Sequence, residues 1–168
     1  MLKALGWMDR MVGSILGPIV FLGMIALTGV ITLQIVSRVF FTSVSWTEEV
    51  ARFLLIWITF LGATLAFQQG RHIAVTLLRD SLPTPLRRLV TGAGILVTIL
   101  FLVTLTMIGW QYMNVQSFQK SPSLRISMSY VYSVMPFCAA LMSGLALIDL
   151  VRLLAGQLPR ETPLDMPE

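Results

Sequence analysis

Residues 45–52 read SWTEEVAR and run directly into the apolar stretch FLLIWITFLGATLAF at 53–67. Two carboxylates and one guanidinium, those of Glu48, Glu49 and Arg52, therefore stand within about one helical turn of each other. They lie at the entrance of a segment that otherwise suits hydrocarbon. The stretch predicts a membrane-spanning helix, and its three charges need an explanation that the rest of the chain has to supply.

The composition is that of an integral membrane protein. Of the 168 residues, 56% are hydrophobic and only 12% are charged, whereas soluble domains keep about 25% charged residues. Four charge-free stretches reach or exceed the roughly 20 residues that a helix needs to cross a bilayer. We therefore predict an all-α integral membrane protein with four transmembrane helices, folded as a single membrane domain over 1–168. The predicted spans are about 13–37, 47–69, 88–112 and 129–154.

The linker between the second and third spans predicts a short amphipathic helix. It reads RHIAVTLLRD at 71–80, with apolar side chains on one face of a helical wheel and polar ones on the other. We expect this helix to lie in the membrane interface against lipid headgroups. A cytoplasmic extension of the second helix, broken at Gly70, is the alternative. The candidate membrane-interface residues are Arg71, His72, Ile73, Leu77, Leu78 and Arg79.

The basic residues predict the orientation. If the N-terminus is cytoplasmic, eight Lys and Arg residues fall on the cytoplasmic side and three on the other, with Arg52 inside a span and not counted. The positive-inside rule then places both termini in the cytoplasm. The eight are Lys3, Arg10, Arg71, Arg79, Arg87, Arg88, Arg152 and Arg160, and the three are Arg38, Lys120 and Arg125.

The sequence offers little for catalysis or cofactor binding. It has one histidine, His72, and one cysteine, Cys138, whereas haem and zinc sites need several ligands and a disulfide needs two cysteines. We predict no enzyme, no catalytic residue, no cofactor and no metal. The dispersed basic residues do not form a nucleic-acid-binding stripe. Because no ionisable residue stands at mid-span, the chain by itself is poorly equipped to transport an ion or solute.

Helix-packing signals occur in the spans. Small residues four apart let membrane helices approach closely, and the pairs here are Gly13 and Gly17, Gly62 and Ala66, and Ala140 and Gly144. Pro18 is expected near the start of the first span, where its missing N–H costs little. Pro136 is expected to kink the fourth helix, unless that helix starts later.

The three charges of SWTEEVAR admit two interpretations. In the first, Ser45 and Glu48 form a capping box, Arg52 pairs with Glu48 and Glu49 at helical spacing, and the cluster is a solvated helix start. In the second, the cluster faces a partner protein, and Glu49 contributes less than Arg52. The candidate partner-interface residues are Arg38, Trp46, Glu48, Glu49, Arg52 and Trp57.

The chain resembles the small integral-membrane, DctQ-like subunits of tripartite ATP-independent periplasmic (TRAP) transporters. The resemblance rests on Arg38 and on SWTEEVARFLLIWITFLGATLAFQQGRHIAVTLL at 45–78, with a weaker match in SPSLRISMSYVYSVMP at 121–136. Thr76 and Ser127 depart from the family pattern, where an acid and a proline are common.

The resemblance implies a multi-pass protein of the bacterial inner membrane that serves as small permease or scaffold subunit. It implies a large membrane subunit and a periplasmic substrate-binding protein as partners, beside the lipid bilayer. The complex would import an organic acid with an ion gradient, typically of sodium. The alternatives are a stand-alone four-helix exporter, a membrane-embedded enzyme or redox anchor, and a membrane assembly factor.

Overall fold

A computed structural model describes residues 2–40, 45–70 and 84–155. Four stretches within them are helical, long and apolar enough to cross a bilayer, and this confirms the predicted all-α fold class with four spans. The predicted interfacial helix over 71–80 lies outside the described residues. The helices are α1 (Leu2–Phe40), α2 (Ser45–Gly70), α3 (Thr84–Val115), α4 (Met128–Tyr132) and α5 (Val134–Leu154), with a 3-10 turn (Gln116–Phe118) after α3.

The helices pack in the order α1, α2, α5, α3. The contacts of α5 with α3 and of α1 with α2 are the most extensive, the contact between α2 and α5 is smaller, and α1 touches α5 only slightly. Half of the most apolar stretch of the fourth span is buried, against none of that of α1. Helix α5 is therefore the centre of the core. It contributes Val134, Cys138, Met142 and Ala146 to the buried cluster, and the other three helices contribute Leu16, Leu61 and Leu102.

Helix α1 meets α2 along a single seam. The least exposed residues of α1 recur at alternating steps of three and four, the spacing of helices that pack side by side with a left-handed twist. They are Gly13, Leu16, Val20, Gly23, Leu27, Val30, Gln34 and Ser37. On α2 the same spacing is followed by Thr47, Ala51, Leu54, Ile58, Leu61, Leu65 and Gln68. One stripe of α1 is thus covered, and most of its circumference remains exposed.

The close approaches between helices only partly follow the predicted small-residue pairs. A Cβ built on Gly13 meets the side chain of Gln68 at 2.9 Å, but Cβ atoms on Gly17, Gly62 and Gly144 meet nothing within 4 Å. The other tight positions are glycines outside those pairs. A Cβ on Gly23 lies 2.9 Å from Ile58 Cγ1, and one on Gly109 lies 3.3 Å from the ring and backbone nitrogen of Pro136.

The two prolines in the spans behave differently from each other. Pro18 lies near the start of the first span, Val12–Phe40. Helix α1 already begins at Leu2, however, so Pro18 lies in the helix interior, and the expectation that its missing N–H costs little is wrong. In the fourth span, Ser133 separates α4 from α5, and Pro136 is the third residue of α5. There its missing N–H is one that the first turn of a helix leaves without an intrahelical partner. The interruption of the fourth span agrees with the prediction made from Pro136.

The seam between α1 and α2 can be tested at its glycines. Gly23→Val places new methyl groups against Ile58, and we expect the free energy of unfolding to fall by about 1–3 kcal/mol, as overpacking usually causes. Gly29→Val is the matched control, because a Cβ there meets nothing within 4 Å. Thermal unfolding of both variants in the same detergent measures the difference. Equal midpoints for the two variants would contradict the seam.

Candidate functional site

The charges of SWTEEVAR stand beside the loop that connects α3 to α4. This loop, residues 119–127, is closed by an antiparallel bridge between Lys120 and Ser127 and by a hydrogen bond from the N–H of Ser121 to the carbonyl of Ile126, 2.8 Å long. It contacts the first turns of α2, so the start of α2 and the α3–α4 loop lie at the same end of the helices. We call this the loop end.

The carboxylate of Glu49 fastens the loop to α2. Its Oε2 accepts hydrogen bonds from the hydroxyl of Ser121 at 2.8 Å and from the N–H of Leu124 at 3.0 Å, and its Oε1 accepts one from the N–H of Ser123 at 2.8 Å. The residue is only 9% exposed. Three charge-assisted hydrogen bonds offset the loss of water around a buried carboxylate. Glu49 is therefore engaged inside the chain, which differs from its expected role as a minor member of a partner-facing cluster.

The loop sequence explains why it offers these donors. Ser121 and Pro122 begin a single turn that is closed by a hydrogen bond from the N–H of Arg125 to the carbonyl of Ser121, 3.1 Å long. Proline suits the first position of such a turn, and the N–H groups of the next two residues are left without partners in the turn. They point to the carboxylate of Glu49. Arg125 ends the turn with a φ of 57°, a left-handed conformation that is uncommon outside glycine.

Glu48 and Arg52 form an exposed ion pair on the same helix. Nη2 of Arg52 donates to Oε1 of Glu48 at 3.0 Å, and the two side chains are 61% and 66% exposed, respectively. The i, i+4 spacing predicted this pair. At such exposure an ion pair contributes only about 0.3–0.5 kcal/mol to stability. The guanidinium has five N–H donors, and most of them remain accessible for a further acceptor.

A recess of about 420 Å³ opens between α2 and the loop at this end. Polar and charged groups of α2 form one wall, and residues of the loop and of α4 form the other. The lining residues are Ser45, Glu48, Glu49, Arg52, Phe53, Pro122, Ser123 and Met128. Within residues 2–40, 45–70 and 84–155, no group of three His, Cys, Asp or Glu residues is placed to hold a metal. The arrangement suits recognition of a polar or charged side chain.

The remaining candidate residues lie elsewhere. Arg38 is exposed in the last turn of α1, where a cation suits the helix dipole, and Trp46 is 43% exposed at the start of α2. Neither lines the recess. Trp57 is 41% exposed and contributes to a different, apolar trough of about 680 Å³ together with Trp110 and Phe137. The interfacial candidates Arg71, His72, Ile73, Leu77, Leu78 and Arg79 lie outside the described residues.

Sequence reasoning missed two polar contacts. One is the set of loop donors to Glu49, for which the Ser-Pro-Ser turn before the fourth span was the available signal. The other is a buried ion pair near the end of α5, in which Nη1 of Arg152 lies 3.5 Å from Oδ1 of Asp149. Its signal was the i, i+3 spacing. Arg152 had been treated only as an orientation signal, yet it is 8% exposed.

The role of Glu49 can be tested by proteolysis. Glu49→Ala removes the acceptor of three loop donors, and we expect trypsin to cut after Lys120 or Arg125 roughly tenfold faster, because local opening becomes easier. Glu48→Ala is the control, since the carboxylate of Glu48 pairs with Arg52 on the same helix and is exposed. Cleavage rates are compared in detergent by mass spectrometry. Identical rates for the two variants would show that Glu49 does not hold the loop.

Comparisons with known proteins place this arrangement in a family. Residues 27–156 match the family described as "Tripartite ATP-independent periplasmic transporters, DctQ component". The chain is also 30% identical over 165 residues to the isethionate TRAP transporter permease protein DctMQ of Oleidesulfovibrio alaskensis. The match covers 91% of this chain and 24% of that protein.

Two sialic acid transporter proteins are similar as well. The chain is 27% identical over 114 residues to the small permease protein SiaQ of Vibrio cholerae, covering 67% of this chain and 66% of that one. It is 27% identical over 119 residues to the permease protein SiaT of Haemophilus influenzae, covering 70% of this chain and 19% of that one. It thus spans only about a quarter or less of the two longer relatives. The chain belongs to the DctQ family, the small permease component of TRAP transporters.

Proposed function

We propose that this chain is the scaffold subunit of a TRAP-type secondary transporter that imports an organic acid with an ion gradient. Its partners in this proposal are a large membrane subunit and a periplasmic substrate-binding protein. The observation that carries the proposal is the exposed Glu48–Arg52 ion pair on a helix that otherwise suits hydrocarbon. Charged residues in membrane spans usually meet a polar partner. The single hydrogen bond between Glu48 and Arg52 leaves most of their donors and acceptors accessible to such a partner.

The distribution of charge favours a scaffold role for this chain and not a direct role in moving the solute. No Asp, Glu, Lys, Arg or His occurs in the middle of any span, at 13–37, 53–69, 89–119 or 126–148. Transport of an ion or an anionic solute through these helices would need such groups. Solute and ion sites therefore belong to the large subunit in this proposal. In DctMQ and SiaT, a segment similar to this chain makes up only 24% and 19% of a longer permease protein.

The class of solute is supported by the names of the relatives. Isethionate and sialic acid, the solutes named for them, are both organic acids. Periplasmic docking is supported by the loop end. Between Trp110 and Tyr130 the only Lys, Arg, Asp, Glu or His residues are Lys120 and Arg125, and both are exposed. A soluble partner with an acidic surface matches this charge.

The proposed orientation of the chain in the membrane can be tested by thiol labelling. Lys120→Cys introduces an exposed thiol at the loop end, whereas the native Cys138 is buried. A membrane-impermeant maleimide should label Lys120→Cys in intact spheroplasts and should label Glu168→Cys only after lysis, because the eight-to-three charge asymmetry places both termini in the cytoplasm. Labelling of Glu168→Cys in intact spheroplasts would reverse the orientation.

The scaffold role can be tested by uptake. Arg52→Ala removes a pair worth only about 0.3–0.5 kcal/mol when exposed, so expression and thermal stability should stay near wild type. Loss of a desolvated interface charge has a larger effect, about 2–5 kcal/mol, so uptake of a radiolabelled organic acid by the reconstituted complex should fall at least about tenfold. Ser37→Ala, in the last turns of α1, is a control that leaves the charges intact. Uptake by this chain alone in liposomes would contradict the scaffold role.

A further inference from the structure

Helix α2 has a face that none of the described helices covers. Its members follow one another at steps of three or four, so they fall within about 80° of one another at 100° per residue. All of them are exposed. We call them the outer face of α2, and they are Glu48, Arg52, Leu55, Thr59, Ala63 and Ala66. The residues that meet α1 and α5, such as Leu61 and Thr64, are buried on the opposite side.

The outer face of α2 carries smaller side chains than the exposed surfaces of α1 and α3. Beyond Leu55 it carries Thr59, Ala63 and Ala66, and a Cβ built on the neighbouring Gly62 meets nothing within 4 Å. The exposed positions of α1 and α3 carry bulky apolar side chains instead, which suit lipid tails. They include Ile15, Phe21, Leu22 and Ile25 on α1 and Leu96, Leu100, Phe101 and Met107 on α3. A flat surface lets another helix backbone approach closely.

The charges at the loop end of the outer face of α2 make this face selective for a polar or charged partner. The Glu48–Arg52 pair is 3.0 Å long and well exposed, and the recess of about 420 Å³ beside it is deep enough for a side chain. Arg52 retains unused donors in a planar fork that matches a carboxylate. Lipid tails cannot satisfy such a group, whereas a protein helix with an acidic residue at the same depth can.

We propose that the outer face of α2 is the surface on which a transmembrane helix of the large membrane subunit packs, with a carboxylate of that helix bound to Arg52 at the loop end. This inference rests on the proposed function, which supplies the partner. The positive charge of Arg52 favours a partner helix that carries a carboxylate. The small residues further along the face allow the backbone of that helix to approach closely. Trp57 is excluded from this contact, because five residues from Arg52 correspond to about 140° around the helix.

Tryptophan substitutions test the face. Ala63→Trp places a large ring where close helix approach is required, and the amount of large subunit that co-purifies with the tagged chain should fall at least about tenfold, which corresponds to about 1.4 kcal/mol. Ala26→Trp is the matched control at an exposed alanine of α1 and should change capture by less than about twofold. Ala140→Trp probes the apolar trough, of which Ala140 is a lining residue, and should also capture normally.

A second variant keeps the test independent of folding. In the double variant Glu48→Arg and Arg52→Glu the intrahelical pair is retained with its charges exchanged, so the chain should melt like wild type while capture falls at least about tenfold. Normal capture of the large subunit by this double variant overturns the proposal. The proposal is also overturned if Ala63→Trp captures the large subunit normally while Ala140→Trp or Ala26→Trp loses it. Failure of the wild-type chain to capture any large subunit refutes the proposed function itself.

Discussion

The carboxylate of Glu49 joins two parts of the chain that are 72 to 75 residues apart. In the folded chain the residue is only 9% exposed, and a buried carboxylate needs hydrogen-bond donors close by. The turn at Ser121–Leu124 provides three of them. The seam between α2 and α5 is less extensive than the two other main seams, so this contact is what fixes the α1–α2 pair against the α3–α5 pair at the loop end.

The three charges that open the second span therefore separate into two functions. Glu49 is buried against the loop, whereas Glu48 and Arg52 remain exposed and are the residues to which our proposal assigns recognition. Neither of the two initial interpretations of SWTEEVAR describes all three residues. A helix start with a simple solvated cap leaves the buried Glu49 unexplained, and a cluster that faces a partner with all its members does not fit a carboxylate whose two oxygens are already bound.

Much of the fold follows from local sequence. Charge-free stretches predicted the four spans, spacing predicted the Glu48–Arg52 pair, and Pro136 predicted the interruption of the fourth span. The partners of Glu49 could not be predicted in this way, because nothing near residue 49 in the sequence specifies a turn that folds back from residue 121. Small-residue spacing identified the close approach at Gly13 but missed two others for a related reason. Gly23 and Gly109 are tight because Ile58 and Pro136 of other helices face them, and a lone glycine gives no sign of its neighbour.

The distance in sequence between Glu49 and its donors has a consequence for synthesis. A ribosome adds about 5–20 residues per second, so the loop donors are synthesised about 4–15 s after Glu49. The α1–α2 seam, in contrast, contains only residues that are made before residue 70. The first two helices therefore have all they need to associate early, while Glu49 stays hydrated at the bilayer surface until residues 121–124 arrive. Formation of the turn that follows the third span is then the step that removes this carboxylate from water.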